Sequence, residues 1–115
     1  NVYSVVLEAQ QLAIDAISPG VLAGEIDTIA RTYISDAGFG DCFPHRVGHG
    51  VGLNEHEPPY LTGDNRQPLQ EGMCFSVEPG IYLPGRFGVR IEDTLLVTTN
   101  GSERLSNCTR ELLMC

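Results

Sequence analysis

Residues Pro44 to Pro59 read PHRVGHGVGLNEHEPP, and this one stretch holds all three histidines of the chain, His45, His49 and His56. Histidine is the commonest protein metal ligand and the side chain most readily used for proton transfer near neutral pH. Glu55 and Glu57 add an acidic tail, and the glycines of GHGVG are expected to leave room for a ligand to approach the backbone. Taken singly, each histidine is more often a hydrogen-bonded structural residue than a ligand. Three in one Gly-rich segment, followed by carboxylates at strand positions, point to a site.

Those carboxylates lie further along the chain. Glu78 ends FSVEPG, immediately before a proline that interrupts regular pairing. Glu92 sits in VRIED, where a two-residue alternation puts Arg90 and Glu92 on one face and Val89 and Ile91 on the other. An inward Glu is costly unless it is paired or binds a cation. The alternative is an ordinary Arg90–Glu92 surface pair, and a glutamate in a turn is equally ordinary at Glu78.

Around these motifs the pattern is α+β. Val2, Val5, Val6, Ala9, Leu12, Ala13, Ala16 and Ile17 recur at helical spacing and predict a helix over 2–18. Ser18-Pro19-Gly20 stops it. A second helix is expected from Leu22 to Ala37, with Gly38 as its C-terminal cap. Neither helix carries evident chemistry; two amphipathic helices covering a sheet account for both. After Phe39 come short apolar runs between glycines and prolines. Residues 58–72 read as a surface loop and Met73–Val77 as a strand that Ile81–Leu83 continues. Pro84 to Gly88 makes a turn. Val89–Thr98 is the most regular strand, Asn100-Gly101 a turn, and Arg104–Ser106 a last short strand. Helices first and antiparallel strands afterwards give a single domain's worth of chain.

Composition excludes several functions. With 115 residues, fifteen acidic against seven basic side chains and a net charge of −8, the chain lacks the basic face that a nucleic-acid binder needs. No apolar run reaches the roughly twenty residues of a membrane-spanning helix. Cys42, Cys74, Cys108 and Cys115 form no CxxC pair, and scattered thiols suit a reducing compartment, the cytoplasm. Asn1 opens inside a helical pattern without an initiator Met, so more chain is expected upstream.

HRVGHGVGLNEHEPP, EGMCFSVEPGIYLPG and GVRIEDTLLVT together resemble the three signature segments of the M24 metallopeptidases, enzymes of the pita-bread fold. The resemblance extends to AQQLAIDAISPGVLAGEID before the motifs and NGSERLSN after them. HEPP, EPGIY and GVRIED lean toward the proline-specific members, Xaa-Pro dipeptidase and Xaa-Pro aminopeptidase. The resemblance implies that His49, Glu78 and Glu92 are metal ligands, with Glu92 bridging two divalent ions (Mn²⁺, Co²⁺ or Zn²⁺), all of which accept carboxylate oxygen and imidazole nitrogen. It implies that His45 and His56 contact substrate, that Glu78 also takes a proton from the attacking water, and that Arg90 supports the site by hydrogen bonding.

One element of the family pattern has no counterpart. Members supply two further aspartate ligands from strands ahead of the first helix, in a D-then-DxTR pattern. The nearest candidate here, Asp27 with Arg31, falls on the second predicted helix. The chain is therefore expected to be the C-terminal part of a catalytic domain, with three of five ligands, inactive alone and prone to self-association. The parent is expected to be an exopeptidase acting on a peptide with proline at P1′, with no nucleic-acid or membrane partner, and a homo-oligomer. Two alternatives share the scaffold: another pita-bread hydrolase (methionine aminopeptidase or a creatinase-like enzyme), and a non-catalytic peptide-binding module.

Overall fold

The first apolar period folds as α1, Val2–Asp15, and the second as α2, Ala23–Asp36. The computed structural model describes residues 1–106 and 108–112, so Cys115 and the end of the tail lie outside the described residues. Asn1 caps α1 by accepting the Ser4 N–H at 2.9 Å, which satisfies one donor that a helix start leaves unpaired. Both helices are slightly shorter than their apolar periods. Gly20 and Gly38, with φ of 95° and 94°, turn the chain out of each one in a conformation that costs other residues energy. Gly38 follows the last helical turn and donates its N–H to Ser35 O at 2.9 Å.

Val6, Ala9 and Ala13 of α1 and Ile26, Ala30 and Ile34 of α2 are buried in one core with Phe75, Val77, Leu95 and Val97 of the sheet. Each large side chain buried there contributes about 1.5–3 kcal/mol of transfer free energy. None of the helices among the described residues is long and apolar enough to cross a membrane.

The strands are β1 (Gly48–Gly50), β2 (Glu57–Leu61), β3 (Cys74–Val77), β4 (Gly80–Leu83), β5 (Phe87–Arg90), β6 (Asp93–Val97) and β7 (Ser102–Arg104). A five-stranded antiparallel sheet runs β2-β1-β3-β6-β7, and β4 and β5 form a separate two-stranded ribbon. Three expectations need correction. The region read as a loop begins with strand β2, because Pro58 and Pro59 fall on the sheet's edge, where a missing donor is tolerated. The strand expected over Val89–Thr98 is two strands. The last strand starts at Ser102 rather than Arg104, because the Asn100-Gly101 turn is tight, with Thr98 N–H donating to Gly101 O at 3.0 Å.

The break in the long strand is ordered. Val77 faces Asp93 at the end of one ladder and Gly80 faces Arg90 at the start of the next. Three steps along each strand connect these pairs, so the register is unchanged across the gap. Residues 74–97 thus form one hairpin interrupted at its middle, where Glu78 and Glu92 come opposite each other. Pro79 cannot donate to a ladder, and Ile91 N–H reaches Pro79 O only at 3.3 Å.

Candidate metal centre

The geometry of the site begins with the glycines flanking His49. A Cβ on Gly48 would lie 1.8 Å from Ser76 O, and one on Gly50 would lie 2.2 Å from Pro58 O. Both glycines therefore serve the close approach of neighbouring strands. That corrects the expectation that they make room for a ligand. His49, between them, is held by its own N–H, which donates to Ser76 Oγ at 3.1 Å.

The His49 ring has its tautomer assigned by its surroundings. Nδ1 lies 2.9 Å from Gly50 O; a carbonyl can only accept, so Nδ1 carries the proton. In the neutral ring Nε2 is then a bare lone pair, and it lies 3.3 Å from Glu78 Oε2. That carboxylate oxygen is buried and has no hydrogen-bond partner. Two lone pairs face one another across a gap that a cation or an added proton would relieve. A ligating imidazole commonly donates its other nitrogen to a carbonyl in this way.

Glu78 is set by its N–H, which donates to Val47 O at 2.6 Å, linking the hairpin break to the segment entering β1. Across the break, one potential ligand atom from each of Glu92, Glu78 and His49 lies within 4.8 Å of the other two. The Glu92 residue as a whole is exposed, yet partial burial of its carboxyl, and then the neighbouring Glu78, raise its pKa above the ordinary value. Arg90 and His49 pull the other way. Arg90 is exposed, and its influence on Glu92 is one of charge. The alternation expected around it holds: Ile91 is buried, Val89 half-buried, Arg90 and Glu92 exposed.

The other two histidines are placed differently. His56 is exposed, with its ring edge-on to His49 at 4.6 Å between centroids. His45 has both nitrogens engaged, Nδ1 with Arg46 O at 2.8 Å and Nε2 with the Tyr82 hydroxyl at 2.9 Å. The carbonyl again assigns the proton to Nδ1, so the Tyr82 hydroxyl donates to Nε2. Tyr82 lies across the β4–β5 ribbon against Gly80 and Gly88, where any Cβ would come within 2.8 Å of its ring or hydroxyl.

Tyr82 carries no signal in the sequence, and Asp27 with Arg31 stands out there only as the nearest counterpart of the missing aspartate ligands. Asp27 is buried on α2 and binds Arg31 through two bonds of 3.0 Å. Asp27 also accepts the Val47 N–H at 2.9 Å, while Arg31 donates to Phe43 O at 2.7 Å and His45 O at 2.8 Å. The pair therefore ties the histidine segment to α2, and the helices do carry part of the site. A charged residue among Ile26, Ala30 and Ile34 on the apolar face, with an arginine one turn later, was the available signal. An open cleft of about 630 Å³ beside Asp27, Arg31, His45 and Arg46 touches none of His49, Glu78 or Glu92.

One imidazole and two facing carboxylates, with a buried unpaired oxygen between them, define a centre suited to a divalent cation of hard or borderline character. Residues 1–99 match metallopeptidase family M24, and the chain belongs to that family. It is 52% identical over 113 residues to the Xaa-Pro dipeptidase of Pyrococcus furiosus, covering 98% of this chain and 32% of that relative. It is 50% identical over 112 residues to the Xaa-Pro dipeptidase of Lactobacillus delbrueckii subsp. lactis, covering 97% and 30% respectively. The prolidase from Pyrococcus horikoshii superposes with a TM-score of 0.95 at 50% identity, over 97% of this chain and 32% of that one. An X-Pro aminopeptidase from Thermotoga maritima gives 0.93 at 44%, over 96% and 31%. The fold is thus part of the pita-bread fold, and the chain spans about a third of the length of these relatives.

Proposed function

We propose that the protein to which this chain belongs is a metal-dependent exopeptidase hydrolysing Xaa-Pro bonds, as a dipeptidase or an aminopeptidase. The observation that carries the reading is the convergence of His49 Nε2, Glu78 and Glu92 around a buried carboxylate oxygen without a partner. These three residues would hold divalent ions, Mn²⁺, Co²⁺ or Zn²⁺, with Glu92 shared between two. Such ions, when bound, activate a water and polarise a carbonyl. Glu78 would accept a proton from the attacking water. His56, exposed beside His49, and His45, whose ring is oriented by Tyr82, would contact substrate and stabilise the negative charge that develops on its carbonyl. Arg90 would support the site by hydrogen bonding, and its charge tempers that of Glu92. The substrate is a peptide with proline at P1′.

Two wider attributes go with this reading. Cys42, Cys74 and Cys108 are free thiols, which suits the reducing cytoplasm. Strands β2 and β7 end the five-stranded sheet, and such edges favour pairing with another chain, hence a homo-oligomer.

A second ion needs more ligands than these. Among the described residues, His49, Glu78 and Glu92 form the one candidate group, and the buried Asp27 and Asp93 are bound to Arg31 and Arg104. The 115-residue chain alone is therefore expected to self-associate and to show no Ala-Pro hydrolysis with excess Mn²⁺ or Co²⁺. A protein of the relatives' full length should cleave Ala-Pro in preference to Met-Ala. Sedimentation and a dipeptide assay test both. Metal-dependent turnover by a monomeric 115-residue chain would show that the ligand set is wrong.

A further inference from the structure

We infer that Gln10 of α1 is a positioning residue that sets the separation of Glu78 and Glu92; its relevance to metal binding rests on the reading above. Gln10 is 0% exposed, in the middle of a helix face otherwise made of Val6, Ala9 and Ala13. Its Nε2 donates toward three acceptors: Val77 O at 3.2 Å, Ile91 O at 3.3 Å and Asp93 Oδ2 at 3.1 Å. Its Oε1 accepts from Arg110 Nη1 at 3.0 Å. Acceptors on one side and a donor on the other assign the amide orientation without ambiguity.

Two of those acceptors are the carbonyls immediately before Glu78 and Glu92. They lie where the hairpin pairing stops, between the Val77–Asp93 pair and the Gly80–Arg90 pair. Ile91 O is the carbonyl that Pro79, having no N–H, cannot serve, and a buried carbonyl left without its ladder partner needs another donor; Val77 O belongs to the last paired rung, opposite Asp93. One amide nitrogen supplies both strands, so it clips together the two backbones from which the carboxylates project. Asp93 extends the clip: its Oδ1 accepts from Arg104 Nη2 at 3.3 Å, joining β7 to the residue after Glu92. Two carboxylates facing each other repel when ionised, and with no N–H on Pro79 the rung beside them keeps only the 3.3 Å bond from Ile91 N–H to Pro79 O to resist their separation. Gln10 restores that resistance from beneath.

The test compares Gln10→Met, which keeps an unbranched side chain of similar length and removes the donor, with Leu69→Ala. Leu69 is buried and exchanges backbone hydrogen bonds with Gly20 and Val21, away from the hairpin break. Crystal structures of the metal-free full-length protein give the Glu78–Glu92 Cα separation, and isothermal titration with Mn²⁺ gives the affinity. Gln10→Met is expected to widen the separation and weaken Mn²⁺ binding about tenfold or more. Leu69→Ala should lower the melting temperature and change neither quantity. If Gln10→Met does not fold, Gln10→Asn, which withdraws the donor by one methylene, is expected to give smaller changes of the same sign. An unchanged separation overturns the inference, as does a widened one with unaltered affinity. If the unsubstituted protein binds no Mn²⁺ but the separation still widens, the positioning role stands and the metal reading falls.

Discussion

Glu78 and Glu92 stand on a hairpin paired on both sides of its break, over the buried side chains of Phe75, Val77, Ile91 and Leu95. His56 stands on residues 51–56, an arch between β1 and β2 in which every residue is exposed. The two regions meet at His49, whose backbone belongs to the sheet and whose ring touches both. The difference follows from what each group is proposed to do. Ligand atoms must be held to a fraction of an ångström by packed elements. A group that meets substrate can sit on a loop above a rigid base.

The largest effects should come from the hairpin side of this contrast. In the full-length protein, His49→Ala, Glu78→Gln and Glu92→Gln should each lower the bound metal measured by elemental analysis, because each deletes a proposed ligand. On the arch, His56→Ala should leave metal bound and lower turnover on the order of 10²-fold or more. His45→Ala should behave like His56→Ala. Equal metal loss in all five variants would erase the distinction between the two regions.

Next in size is the clamp beneath the histidine segment. Asp27→Ala leaves Arg31 without its carboxylate and the Val47 N–H without an acceptor, in a position that is 3% exposed. Breaking a buried pair in this way costs about 3–5 kcal/mol; Arg31 is partly exposed, which places the expected loss at the lower end. Urea unfolding of the full-length protein would measure it. A loss below about 1 kcal/mol would mean that the segment is held by something other than α2.

How much of this was legible beforehand divides along physical lines. The helices and the order of the strands follow from apolar periodicity and from glycine and proline punctuation, which are local signals. His49, Glu78 and Glu92 were expected as ligands from the resemblance of three short motifs to a known family, and the structure brings these three side chains together. Hydrogen bonds between distant residues leave no local trace. The role of Asp27 and Arg31 depends on carbonyls twelve and fourteen residues beyond Arg31, and the Tyr82–His45 bond joins residues separated by 37 positions. The break within VRIED was invisible for a related reason. Alternation continues through it, so the pattern reads as a single strand, and only the pairing partner reveals the gap.

A smaller effect should distinguish the carboxylate pair by pH. Burial and Glu78 hold the Glu92 pKa above its ordinary value, so the folded state binds a proton more tightly than the unfolded state. Stability from this source is present at low pH and declines as pH rises through the raised pKa. Glu92→Gln is neutral throughout. In metal-free chain it should melt higher than the parent near pH 7, with the gain shrinking toward about pH 4, where an ordinary carboxylate is half protonated. Thermal scans with a chelator present would show this. Adding Mn²⁺ to the full-length protein should then stabilise the parent more than the variant, since only the parent keeps the proposed ligand. A constant offset at every pH would mean that the substitution acts through packing and not through charge.

The smallest expected effect lies on the arch itself. Leu53 is fully exposed, so it gains nothing from burial in the folded chain. Leu53→Ser removes apolar surface that is as wet when folded as when unfolded, and surface substitutions of this kind change stability by less than about 0.5 kcal/mol. The same substitution at Leu61, which is 0% exposed at the other end of β2, should cost several kcal/mol, about 2–5 by analogy with other buried leucines cut back to a small side chain. Urea titration of the two variants side by side reads the contrast directly, because both residues flank the same pair of strands. A loss above about 1 kcal/mol at Leu53 would place the arch against a neighbour in solution. His56 would then stand on a packed element, and its proposed freedom to meet a substrate would have to be abandoned.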